Sequence, residues 1–375
     1  MMTAHLSTAP QPIQPSSSGV LRHVAVAVCA LISCFGFLVL PAQGRAVRPQ
    51  AEVEALVRAG APGAIALVSD GRTVKTATAG VEVLGKPQRP RAADRFQIAS
   101  VTKPFTAAVV LQLVQERRLG LNDQVGRWLP GLFPGPAAAI TIRQLLAHRS
   151  GLFDPITTPA VQAKFGWRPR EFVAVAAEYP LLFSPGRDFS YSSINYLVLG
   201  LVVEAVTHHH FAVELRRRIL RPLRLRHTSL SDTAPRERFL HGYIGSADVS
   251  SVPRRVKSST AGGMISTAPD LAKFFRALLT GQIVQRRLLA LMRSPISPNA
   301  VTTGGIGRGY GLGLARYPVR CGSTWGHDGN GIGTLTFVRA SPNARRVAVL
   351  AISTNVLSGP LVGALIPSIA DLYCN

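Results

Sequence analysis

Seventeen consecutive residues, Val24 to Leu40, carry no charge and little polarity. Past Gly44 the pattern changes to shorter apolar runs with two distinct periods. Ala51 to Arg58 reads as a helix stopped by Gly60 and Pro62. Ala64 to Val68 reads as a strand, Asp70-Gly71 as a hairpin turn and Thr73 to Ala79 as the partner strand. After Ser100 the sequence is apolar on nearly every helical face (Phe105, Val109, Val110, Leu111, Leu113), the pattern of a core helix. Arg117, Arg118 and Gly120 supply its stop signal. Pro104 must lie in the first turn, where a missing N–H costs little, so Ser100 falls at the helix start.

Between about 121 and 300 short helices dominate: Ile142–Ala147, Pro169–Glu178, Asn195–Val206, Phe211–Leu220 and Pro269–Leu279. The tail reverts to strands at Ser323–Gly326, Thr334–Arg339 and Arg346–Ser353, closed by a helix over Leu361–Leu372. Strands at both ends with helices between predict an α+β fold. An antiparallel sheet is built from both chain ends and flanked by helices, and a mainly helical lobe is inserted in the middle. The expected boundaries are a leader over 1–44 and one domain over 45–375. Within that domain the sheet-bearing part covers about 50–103 and 300–375, and the helical lobe about 104–299.

The leader has Arg22 and His23 before the apolar run and Pro41-Ala42-Gln43-Gly44 after it. Basic flank, apolar core and small-x-small site describe a secretory signal peptide. Seventeen residues also reach the short limit of a membrane span, so an uncleaved anchor is the alternative. Either reading places the rest of the chain outside the cytoplasm. Cys29 and Cys34 lie in the leader; Cys321 and Cys374 remain, an even pair in an oxidising compartment, and are expected to form one disulfide. The formal net charge is +23, but the basic residues are scattered and no zinc-finger or aromatic ribonucleoprotein motif accompanies them. This excludes a nucleic-acid reading and leaves a solvated basic surface, or attraction to anionic wall polymers or lipids.

The chemistry concentrates in Ser100-Val101-Thr102-Lys103. Residues three apart on a helix face one another, so the lysine amine can reach the serine hydroxyl. A desolvated lysine can act as the base a serine nucleophile needs. Downstream come Tyr191-Ser192-Ser193 and His327-Asp328-Gly329-Asn330, each weak alone. A loop tyrosine beside an ammonium can relay protons. A strand poor in side chains lets a substrate backbone lie alongside and can lend an N–H to an oxyanion hole. His148 reads as a packed, satisfied histidine. His208-His209-His210 reads as a solvated helix end without acidic partners.

As a set, S-x-x-K, Tyr-x-x and His-x-Gly in this order resemble the penicillin-recognising serine hydrolases: D-alanyl-D-alanine carboxypeptidases, class C β-lactamases and related esterases. Phe96 to Ala99, Leu145 to Leu152, Ala261 to Thr267 and Tyr310 to Leu314 agree as well. The resemblance runs from about residue 50 to the end and lies nearest the exported DD-carboxypeptidases. It implies acyl-enzyme catalysis without metal or other cofactor. Ser100 is the nucleophile, and Lys103 and Tyr191 share the proton transfers. The Ser100 and Asn330 backbone N–H groups form the oxyanion hole, and His327 binds a substrate carboxylate and steers the tyrosine proton. Ser193, Asp328 and Gly329 line the substrate. Ser193 departs from the family's usual asparagine and Asp328 from its usual threonine, which leaves a wall peptide, a β-lactam and an ester open as the substrate. A non-catalytic wall-peptide binder would have no need of the intact Ser100 and Lys103.

Overall fold

The computed structural model describes residues 49–375 except 236–237, 302–307 and 357, and only the backbone of 157, 160 and 298–301. The leader expected over 1–44, with Cys29 and Cys34, lies outside the described residues. The elements that position the site are helices α1 (Pro49–Arg58), α2 (Thr102–Gln115), α3 (Ser193–Thr207), α4 (Ala268–Leu279) and α5 (Gly359–Cys374). Eight strands form the main sheet: β1 (Gly63–Ser69), β2 (Val74–Gly80), β3 (Ser297–Val301), β4 (Arg308–Tyr310), β5 (Ala315–Val319), β6 (Gly322–Gly331), β7 (Thr334–Ala340) and β8 (Val347–Ile352).

Their order is β2-β1-β8-β7-β6-β5-β4-β3, antiparallel throughout. The N-terminal hairpin therefore docks onto the C-terminal meander, with Ala64 opposite Ile352 and Val68 opposite Ala348. Every residue of β1, β7 and β8 is buried. Alternation then sorts the side chains of β1 between two layers. Ala64, Ala66 and Val68 pack with Val53 and Leu56 of α1 and Leu361, Leu365 and Leu372 of α5. Ile65 and Leu67 join the larger core with α2, α3 and α4, where the Phe105 and Phe274 rings stack at 3.5 Å. Burial on both faces accounts for the continuous apolar runs of β1 and β8.

Several elements depart from the sequence reading. β3, β4 and β5 extend the sheet where no strand was expected, and a further helix spans Arg286–Arg293. Pro318 in β5 disguises the alternation of Ala315 and Tyr317 (buried) with Arg316 and Pro318 (exposed); the position is tolerable in a short strand. The helix expected over Phe211–Leu220 is α-helical only to Leu215 and widens to a π-helix over Arg216–Leu220. α5 runs to Cys374, which is bonded to Cys321 beside β6.

Candidate active site

Ser100 sits in a single 3-10 turn, Ala99–Val101, that leads directly into α2. One helical turn on, Lys103 is fully buried, with Nζ 3.0 Å from Ser100 Oγ and donating to the Ala261 carbonyl at 3.0 Å. Burial pulls the Lys103 pKa from 10.5 down to about 7, against the opposing pull of Asp154. An ammonium without a paired carboxylate is costly in the interior, and losing its proton relieves that cost. Near neutral pH a large share of Lys103 is thus a free amine that accepts from the Ser100 hydroxyl.

The backbone is forced at this point. Ala99 has φ of 44°, the left-handed region a residue with a Cβ seldom enters. The β6 strand backs directly onto this turn: a Cβ at Gly329 would lie 2.2 Å from the Ile98 carbonyl oxygen. Only glycine permits that approach. β6 pairs with β5 as far as Gly326 opposite Ala315, whereas His327 to Gly331 pair with β7 alone. The β5-side edge of that segment therefore faces the serine turn rather than another strand.

Tyr191 comes into the same cluster, with Lys103 Nζ 4.8 Å from its ring centroid and the His327 ring 6.2 Å away. His327 is buried, and its pKa falls to about 3 through burial and the nearby Lys103 charge, so the ring is neutral. Its Nδ1 lies 2.6 Å from the Asp328 carbonyl oxygen, which assigns the ring proton to Nδ1. Nε2 then accepts from the Tyr310 hydroxyl at 3.1 Å. The histidine expected to steer Tyr191 is thus also bonded to Tyr310. In the sequence Tyr310 stands out only as part of the segment Tyr310 to Leu314. His148 is packed as expected: buried, with Nδ1 taking donors from the Ser192 backbone N–H (3.3 Å) and Asn195 Nδ2 (3.0 Å). Against the expectation of a satisfied histidine, its Nε2 has no hydrogen-bond partner among the described residues, and its ring lies 4.4 Å from that of Tyr191.

Ser193 is the first residue of α3, its N–H held at 2.6 Å by Asp154 Oδ2, a site residue that the sequence reading missed. Asp328 does not face the substrate side as a free carboxylate. It accepts at 2.5 Å from buried Arg339, whose guanidinium lies 3.4 Å over the Tyr317 ring. Burial raises the Asp328 pKa while Arg339 opposes the rise. A cavity of about 420 Å³ opens beside Ser100 and is lined by Gln97, Ser193, Arg254, Arg255 and Asn330, among others. Ser100 and Asn330, the two expected oxyanion donors, thus share one cavity.

Away from the site, two sequence readings change. His209 meets Glu214 at 2.9 Å and His210 meets Glu204 at 3.7 Å, so the histidine run does have acidic partners. Part of the basic surface is gathered rather than scattered: Arg216, Arg221, Arg224 and Arg226 line one cavity of about 660 Å³. Among the described residues no group of three or more His, Cys, Asp or Glu is placed to hold a metal ion.

The family model described as Beta-lactamase matches residues 48–368. Protein flp of Staphylococcus aureus (strain N315) is 33% identical over 188 residues, which are 49% of this chain and 37% of that protein. The chain thus spans little more than a third of that relative. Penicillin-binding protein 4 of Amycolatopsis lactamdurans is 28% identical over 302 residues, 73% of this chain and 79% of that protein. Among solved structures, the D-stereospecific amidohydrolase from Streptomyces sp. superposes with a TM-score of 0.75 at 34% identity, covering 84% of this chain and 97% of that one.

Proposed function

This chain belongs to the Beta-lactamase family of penicillin-recognising serine hydrolases, and on that premise we propose that it is an exported enzyme cleaving D-alanyl-D-alanine-type peptides through an acyl-enzyme. The observation that carries the proposal is the buried amine of Lys103 at 3.0 Å from Ser100 Oγ, with its pKa lowered to about 7.

Ser100 Oγ passes its proton to the free amine of Lys103 and adds to the substrate carbonyl. The charge that develops on oxygen is met by the backbone N–H groups of Ser100 and Asn330, preorganised by the close packing of β6 on the serine turn. Lys103 and Tyr191, in contact across the Tyr191 ring face, return the proton to the departing amine. Neutral His327 has no charge to offer a substrate carboxylate. It fixes Tyr310 beside the Tyr191 ring instead. Water enters once the leaving group has gone and releases the acyl group, with the same amine taking its proton. Residues 1–44 serve as leader or anchor, and 45–375 form the hydrolase.

Similarity to a penicillin-binding protein supports the peptide substrate. A second reading, hydrolysis of a simpler amide or ester, is favoured by Ser193, too short to replace an asparagine, and by the likeness to a D-stereospecific amidohydrolase. Release of D-alanine from a diacetyl-lysyl-D-Ala-D-Ala peptide, beside turnover of D-phenylalanine amide, separates the two. Peptide turnover that Ser100→Ala abolishes supports the carboxypeptidase. Amide turnover alone moves the substrate to the second class.

A further inference from the structure

The cavity beside Ser100 holds a charge for which the reaction described so far has no use. Only two charged residues line it among those described, both arginines. Arg255 is satisfied: its Nη1 donates to the Val161, Gln162 and Lys164 carbonyls at 3.1, 2.6 and 3.1 Å, and its guanidinium lies 4.0 Å over the Phe165 ring. Arg254 is not. Its Nη2 is buried and has no hydrogen-bond partner among the described residues. Burial lowers its pKa to about 10, with Asp232 opposing, so the guanidinium stays charged at neutral pH.

We propose that Arg254 receives a carboxylate carried on the acyl half of the substrate. A buried guanidinium nitrogen without an acceptor is an expensive group for a fold to keep. A carboxylate is the ligand whose two oxygens match its fork of donors. The side of the substrate follows from the proton path. Whatever group protonates the leaving amine must lie beside it. Lys103 and Tyr191, the proton-handling pair, are not among the residues lining this cavity, whereas Ser100, Ser193 and Asn330 are. The leaving group therefore departs toward the lysine and tyrosine, and the part that stays bonded to Ser100 occupies the cavity. Arg254 comes to the site from the segment before Ala261, the residue whose carbonyl holds Lys103. The substrate class is thereby narrowed to acyl donors bearing an acid group a few bonds from the scissile carbonyl.

This inference rests on Ser100 being the nucleophile, and its test separates the two. The mono-4-nitrophenyl ester of glutaric acid and 4-nitrophenyl pentanoate have acyl chains of equal length that differ in one terminal carboxylate. The wild-type protein should favour the glutarate ester in kcat/KM by roughly 10- to 100-fold, the range of a hydrogen bond to a charged group. Arg254→Met and Arg254→Gln should remove that preference through KM, and Arg254→Lys should regain part of it. The ratio between the esters within each variant is the quantity read, so a partly folded variant still reports. Where turnover is slow, acylation seen by intact mass gives the same ratio. No preference in the wild type, or one that survives Arg254→Met, overturns the inference while leaving the serine mechanism standing. Pentanoate hydrolysis or acylation that is absent, or that persists in Ser100→Ala, removes the mechanism and the inference with it.

Discussion

Replacing Lys103 by methionine should abolish hydrolysis and stabilise the fold. Lys103 is fully buried, and its pKa falls from 10.5 to about 7 on folding. At 1.36 kcal/mol per unit, holding this side chain in the interior at pH 7 costs about 5 kcal/mol. Methionine has no such cost, but it gives up the hydrogen bonds to Ser100 Oγ and the Ala261 carbonyl, worth about 1–3 kcal/mol together. The net gain at pH 7 is about 2–4 kcal/mol. The pH dependence is more diagnostic than the size. Between the two pKa values the unfolded chain binds a proton that the folded chain does not, so wild-type stability rises with pH across that window. Below pH 7 the wild-type deficit is constant. From pH 7 to 9.5 it should shrink by about 3 kcal/mol, and above the unfolded pKa it is gone. Urea unfolding followed by tryptophan fluorescence, run in parallel on both proteins at pH 6, 7, 8 and 9.5, measures the difference and cancels the other titrating groups. A stability difference that does not change with pH would refute a desolvated Lys103. A methionine variant that is less stable at pH 7 would show that its hydrogen bonds outweigh its desolvation.

Other expectations follow from the same structure. Gly329→Ala would set a Cβ 2.2 Å from the Ile98 carbonyl oxygen and push β6 off the serine turn, and a shift near 1 Å should lower kcat by about 100-fold; steady-state kinetics with any ester that turns over will read it. Cys374→Ser opens a loop with a sequence separation of 53, and loop-closure entropy puts the loss at about 4 kcal/mol, measurable by urea unfolding. Arg339→Met leaves the Asp328 carboxylate buried without its cation, at a cost of about 3–5 kcal/mol, and Asp328→Asn in the same chain should restore much of it in a double-mutant cycle. With neutral substrates kcat/KM should rise with pH through about 7 as Lys103 loses its proton, and His327→Gln should leave that limb in place because His327 is already neutral above about pH 3.

What the sequence disclosed and what it hid divide along the range of the interaction. Ser100 and Lys103 meet through a spacing of three on one helix, and Pro104 fixes where that helix begins, so both were legible from a few adjacent residues. β1 and β8 were legible because burial on both faces makes an unbroken apolar run. The partnership of His327 with Tyr310, the pairing of Asp328 with Arg339 and the approach of Arg254 to the serine cavity depend on register and packing between distant segments. No local pattern carries them. Asp328 shows the consequence: its place in the motif suggested a substrate contact, whereas the neighbouring strand supplies a buried cation that claims it. β3, β4 and β5 escaped notice because they are only three to five residues long and Pro298, Gly309 and Pro318 interrupt their apolar pattern.

The central claim is that Ser100 is a nucleophile in a penicillin-recognising site. Its most direct test is to mix the protein lacking residues 1–44 with a fluorescent penicillin and follow intact mass over time, beside Ser100→Ala. A nucleophilic Ser100 gives a mass increase of one penicillin in the wild type, either lasting or lost as the drug is hydrolysed, and neither adduct nor hydrolysis in the variant. An adduct or hydrolysis of equal extent in Ser100→Ala would contradict it.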